Sequence, residues 1–100
     1  MSINTSVTAY YGLAGSLDTL QSTETNAQST VNNAFKFSQL TCNVTSNSII
    51  DNSTVNLRKN AGNAGPALSI GANATGIFND NTDTYTAAAT DAMNYQIVTG

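Results

Sequence analysis

Residues 53–59, Ser-Thr-Val-Asn-Leu-Arg-Lys, decide how this chain is read: Val55 and Leu57 fall on one side of an extended strand, and Thr54, Asn56 and Arg58 on the other. Apolar-in, polar-out alternation is what an antiparallel strand with one buried face requires. Downstream, Asn60-Ala61-Gly62-Asn63-Ala64-Gly65-Pro66 reads as a turn or loop, because Asn and Gly tolerate positive φ and Pro66 has no N–H to give a central ladder. Leu68 and Ile70 make a further short strand, 71–73 a turn, and Ile77 and Phe78 another strand closed by Asn79-Asp80-Asn81. Tyr85, Ala87 and Ala89 then alternate with Thr84, Thr86 and Ala88, a turn follows at 90–92, and Met93, Tyr95 and Ile97 alternate with Asn94 and Gln96.

Upstream, residues 23–31 carry a period of two, with Ala27, Ser29 and Val31 against Asn26, Gln28 and Thr30, and Asn32-Asn33 ends it. Phe35 and Phe37 flank Lys36, after which the apolar parity shifts to Leu40, Cys42 and Val44. A parity switch within one run indicates a β-bulge near Ser38 and Gln39. About seven short strands at nearly even spacing predict an all-β fold, a single antiparallel β-sandwich of jelly-roll-like form. The first twenty-odd residues fit no strand pattern. Leu13, Leu17 and Leu20 have helical spacing, but Gly12, Gly15 and Ser16 interrupt it. The expectation is an extended N-terminal arm, residues 1–22, leading into a sandwich domain, 23–100, with Tyr10, Tyr11 and Leu13 docked on an apolar surface. The close, Ile97-Val98-Thr99-Gly100, looks like a strand entering a turn, so an open sheet edge near Ile97 is expected to favour assembly.

Composition narrows the function. The chain of 100 residues has 14 Asn, 15 Thr and 10 Ser against only 9 charged residues, so it is polar without being charged. Its net charge is -3 and its cations are Lys36, Arg58 and Lys59, too few for the basic face that phosphate recognition needs, so no nucleic-acid partner is expected. With no His and a single Cys, the residues for His-based acid–base work, for Ser-His or Cys-His nucleophiles and for zinc are lacking. No enzyme activity, catalytic residue, metal or cofactor is expected. No apolar run approaches the ~20 residues of a membrane span. The start, MSINTSVTAYYGLAGS, has neither the basic leader nor the apolar stretch of a secretory signal, so no membrane role and no export by that route are expected.

Four features invite a functional reading, and each has a plainer one. Cys42 alternates with Thr41 and Asn43, which makes it a small hydrophobe on an apolar face, with a reactive or intermolecular thiol as the alternative. Asn79, Asp80, Asn81 and Asp83 offer hard oxygens of the kind calcium takes, yet Asx residues also build hairpin turns. Arg58 could bridge to Asp80, Asp83 or Asp91, in this chain or in a neighbour. Thr41, Asn43, Thr45, Thr54, Asn56, Thr84 and Thr86 would form flat arrays of hydroxyls and amides, suited to sugars or simply to water. Four Asn-x-Ser/Thr sequons, at Asn4, Asn43, Asn52 and Asn73, are what chance gives in so Asn-, Ser- and Thr-rich a chain.

Three segments in order, STVNLRKN (53–60), LSIGANATGIFND (68–80) and TYTAAATDAMNYQIVTG (84–100), resemble a β-sandwich module of tailed-phage virion structural proteins and related bacterial proteins. That module repeats TxxLRKN, ATGxFxD and AAxDxxxYxxVTG strands, and residues 23–48 fit its earlier strands. Where its pattern carries Gly before the late aspartate, this chain has Thr90, and the pattern continues past the point where Gly100 ends. The resemblance implies a non-enzymatic structural protein of a virion, made in the host cytoplasm. The leading expectation is a capsid-decorating or cement subunit that contacts the capsid shell and copies of itself as a homo-oligomer, a trimer among the options. Its candidate interface residues are Tyr10, Tyr11, Leu13, Arg58 and Ile97. The alternatives are a tail-fibre receptor- or glycan-binding module and a self-assembling filament or surface-layer subunit.

Overall fold

A computed structural model describes residues 2–3, 7–12 and 22–100. Its strands in chain order are β1 (Ser2–Ile3), β2 (Thr8–Tyr11), β3 (Ser29–Thr30), β4 (Phe35–Phe37), β5 (Leu40–Val44), β6 (Ser46–Asn47), β7 (Ser53–Lys59), β8 (Gly62–Ile70), β9 (Gly76–Asp80), β10 (Tyr85–Ala87) and β11 (Ala92–Val98), with one 3-10 turn at Glu24–Asn26. The fold is all-β, and among the described residues every pairing apart from the short parallel pair β1 and β6 is antiparallel.

One layer is the sheet β2-β11-β7-β8, with β3 also paired to the start of β11. The other is built from the ladders β5–β9 and β4–β10. The alternation read at β7 holds: Ser53, Val55 and Leu57 are buried while Thr54 is exposed. Opposite them, Leu68 faces Val55 and Ile70 faces Ser53. Ala9, Tyr11, Val55, Leu68, Ile70 and Ile97 from the first layer meet Val44 of the second in one core cluster, onto which Leu40, Cys42 and Phe78 pack. A second cluster joins Val31, Leu57, Ala87 and Met93, and Tyr95 packs against both.

The structure corrects four expectations. Residues 62–66 are strand rather than loop. The β7–β8 connection is a two-residue turn, Asn60-Ala61, with φ of 47° and 65°, and such paired left-handed values suit the twist of a hairpin. Gly65 and Pro66 instead sit in an irregularity of β8, where the register shifts between Asn56 and Arg58. Pro66 is tolerated there because β8 is an edge strand.

The break at Ser38 and Gln39 is larger than a one-residue bulge. Phe37 pairs with Tyr85 and Leu40 with Asp80, so residues 38–39 stand opposite residues 81–84, and Gln39 takes a φ of 56°. The period-2 reading of 23–31 gives way at residues 24–26 to the 3-10 turn, leaving only β3 extended.

Finally, Ile97 lies on no open edge. β11 is held by β2 on one side and β7 on the other, with Ile97 between Ala9 and Val55. The extended reading of residues 8–11 is observed, but the apolar surface they dock on is this chain's own core. Leu13, and the helical spacing of Leu13, Leu17 and Leu20, lie outside the described residues.

The position singled out at Thr90 carries strain. Asp91 N–H donates to the Ala88 carbonyl at 3.1 Å, closing a turn in which Thr90 has a φ of 78°. A type II turn asks for that value at its third residue, where glycine is normal and a β-branched side chain is an outlier. Thr90→Gly should therefore raise stability by about 1 kcal/mol, the relief of left-handed strain exceeding glycine's extra chain entropy. Urea unfolding checks this, and a destabilised variant would show the turn is not strained.

Candidate interaction surface

The charged residues expected to act outward are mostly bound within the fold. Arg58, on the outer face of β7, donates through Nε to Glu24 Oε1 at 2.8 Å and through Nη2 to Glu24 Oε2 at 3.1 Å, a bidentate pair. Its Nη1 reaches Asn63 Oδ1 and its Nη2 the Ala61 carbonyl, both at 2.8 Å. Only 14% and 12% of the Arg58 and Glu24 side chains stay exposed. The expected partners Asp80, Asp83 and Asp91 are thus replaced by Glu24. The hydrogen bonds from Arg58 hold the Glu24 carboxyl below its usual range, against the effect of burial. The pair lies over the outer face of β11 beside Asn94, which is fully buried and whose Oδ1 has no partner.

Asp80 ends β9 and ties the two layers at the β8 edge. Its Oδ2 accepts from Ala67 N–H at 3.0 Å, while its Oδ1 accepts from the backbone of Thr82 and Asp83 and from the Thr82 hydroxyl. Those bonds, the one from Asp83 foremost, push its carboxyl well below the ordinary range, and its charge in turn raises Asp83. The calcium alternative loses its central ligand to this role, and among the described residues no group of three or more His, Cys, Asp or Glu is placed to hold a metal. Asp91 does similar work at the 88–91 turn. Its Oδ2 accepts from Ala88 N–H at 2.9 Å and from the Tyr85 hydroxyl at 2.8 Å, and its Oδ1 from Asn60 Nδ2 at 3.2 Å, which lowers its carboxyl also.

These shifts set the acid response. Glu24, Asp80 and Asp91 are lowered in the fold, so each contributes stability that is present above its unfolded value near ~4 and is lost as pH falls through the folded value. Asp83 is raised and works the other way, easing as it protonates. Three against one gives the sign: urea midpoints should be level from about pH 7 to 5 and decline below about pH 4. With only three Lys and Arg, general cationic repulsion is too small to produce that decline. A midpoint that holds or rises between pH 4 and 2 would contradict the carboxylate assignments.

Of the other expected interface residues, Tyr11 is buried, its ring centroid 5.4 Å from that of Tyr95. Tyr10, half-buried on the opposite side of β2, pairs with Gln96. Ile97 is a core residue. Cys42 is half-buried against the core, and burial raises its thiol, in keeping with the apolar-face reading.

What faces outward on β5 and β9 is the hydroxyl and amide array, in which the Thr41 hydroxyl donates to Asn79 Oδ1 at 2.8 Å and Asn43 stands opposite Ile77. Ile77 is 68% exposed and Ile50 78% exposed. Neither was expected at the surface. No known protein-family model matches the chain, and neither curated proteins nor solved structures give a match.

Proposed function

We propose that the chain is a non-enzymatic structural subunit of a viral particle, decorating or cementing a capsid shell through contacts with the shell and with copies of itself. The observation that carries this reading is the surface left once Arg58, Glu24, Asp80 and Asp91 are bound within the fold. Among the described residues, Lys36, Asp51, Lys59 and Asp83 are the charged side chains that remain exposed. Most of the rest is Thr, Asn, Ser and Ala, with Ile50 and Ile77 standing out from it. Short side chains lose little rotamer entropy when covered, and charge, which the core of an interface excludes, is sparse over this surface. A small domain with this periphery can be packed on several sides at once. The resemblance to virion β-sandwich modules supports the same reading.

The filament alternative, strand exchange at Ile97, loses its open edge because β11 is an inner strand. Light scattering on the purified chain, alone and mixed with capsid shells lacking it, tests the proposal. A stable small oligomer that binds shells stoichiometrically is expected; a monomer indifferent to shells would overturn it.

A further inference from the structure

We propose that the cleft between the two layers at the Ser38–Gln39 break binds a single neutral sugar ring. The cleft measures about 240 Å³. Its origin lies in two departures from regular strand that meet at the same level. In one layer the β4-to-β5 run is broken at Ser38 and Gln39; in the other, β8 is distorted at Pro66 opposite Leu57. Regular strands would bring side chains together there and fill the space. Irregularities of this kind gather beside binding sites, and Gln39, held at a φ of 56°, keeps strained backbone on the rim.

The lining specifies the ligand. Phe37 and Tyr95 supply aromatic surface, with Leu40, Leu57 and Pro66 beside them, while Ser38 and Gln39 supply hydroxyl and amide groups. Among the described residues neither a carboxylate nor a cation lines the cleft, so none of them compensates a charged ligand there. Tyr95, which lines the cleft, carries a phenolic hydroxyl that burial raises above its usual range. A volume just below the ~300 Å³ at which drug-sized sites begin fits one ring rather than a chain. One apolar face, a circle of hydroxyls and no charge describe a pyranose. The inference stands apart from the assembly reading, because the cleft lies between layers of one chain.

The test is an NMR titration of the full chain with glucose, galactose and N-acetylglucosamine, using glucose 6-phosphate as the charged control. At least one neutral sugar should give saturable shifts at Phe37, Ser38, Gln39, Leu57 and Tyr95, with a Kd on the order of millimolar. Tyr95→Phe, which keeps the ring, should weaken binding about fivefold, the loss of one hydrogen bond. Ser38→Ala, at an exposed position, offers a second variant whose folding is not at stake. No saturable shift with any neutral sugar, shifts lying elsewhere, equal binding of the phosphate, or affinities unchanged in both variants would overturn the proposal.

Discussion

Ile97→Ala should lower the unfolding free energy of the isolated chain by about 2–5 kcal/mol, the range for emptying a large aliphatic site in a packed core. Ile97 is 3% exposed and lies in the same cluster as Ala9, Val55, Leu68 and Ile70. It is clamped in register by strands on both sides, which limits how far the surroundings can collapse into the space. Small domains have about 5–15 kcal/mol in total, and a chain of 100 residues with one Cys has no disulfide to add to it, so the variant should be close to unfolding at room temperature. Urea unfolding at dilute and concentrated protein distinguishes the two roles considered for this residue. A core residue costs the same at both concentrations, whereas an interface residue costs stability only where the protein associates. A loss under about 0.5 kcal/mol in the dilute sample would remove Ile97 from the core.

The contrast between β7 and β8 shows what could be read from the chain alone. At β7, Val55 and Leu57 alternate with polar neighbours, local pattern and final burial agree, and the strand is legible. At β8, Asn63, Gly65 and Pro66 carry every local mark of a loop, and what makes them strand is the hairpin closed at Asn60-Ala61, which pairs Asn63 with Arg58 and carries Gly65 and Pro66 along β7 between Arg58 and Asn56. Pairing over a distance overrode propensity there. The short polar run at Glu24–Asn26 has no apolar period to show that it would curl over β11 and meet Arg58, 34 residues later. The proposed cleft left two separate traces, a parity switch at Ser38 and Gln39 and a Gly-Pro pair at 65–66. Each was visible, but that they face one another is a fact of the layer packing, which no one-dimensional pattern contains.

Arg58→Met should cost about 2 kcal/mol, between the ~0–1 of an exposed ion pair and the ~3–5 of breaking a buried one. Methionine keeps the apolar stem of arginine as far as the position of Nε while deleting every donor, so the loss reads mainly the polar contacts. Those contacts tie three places together: the 3-10 turn through Glu24, β8 through Asn63 and the hairpin turn through the Ala61 carbonyl. Removing Arg58 also leaves the Glu24 carboxylate mostly covered and without its counter-charge, which releases its lowered carboxyl toward the ordinary range. Adding Glu24→Gln to Arg58→Met should then cost little more, and the double-mutant cycle should give a coupling of about 1 kcal/mol. The cycle also decides where Arg58 acts. Stability lost in the dilute chain, with coupling to Glu24, places it within the fold; an unchanged dilute chain whose association alone is weakened would return it to an interface between subunits.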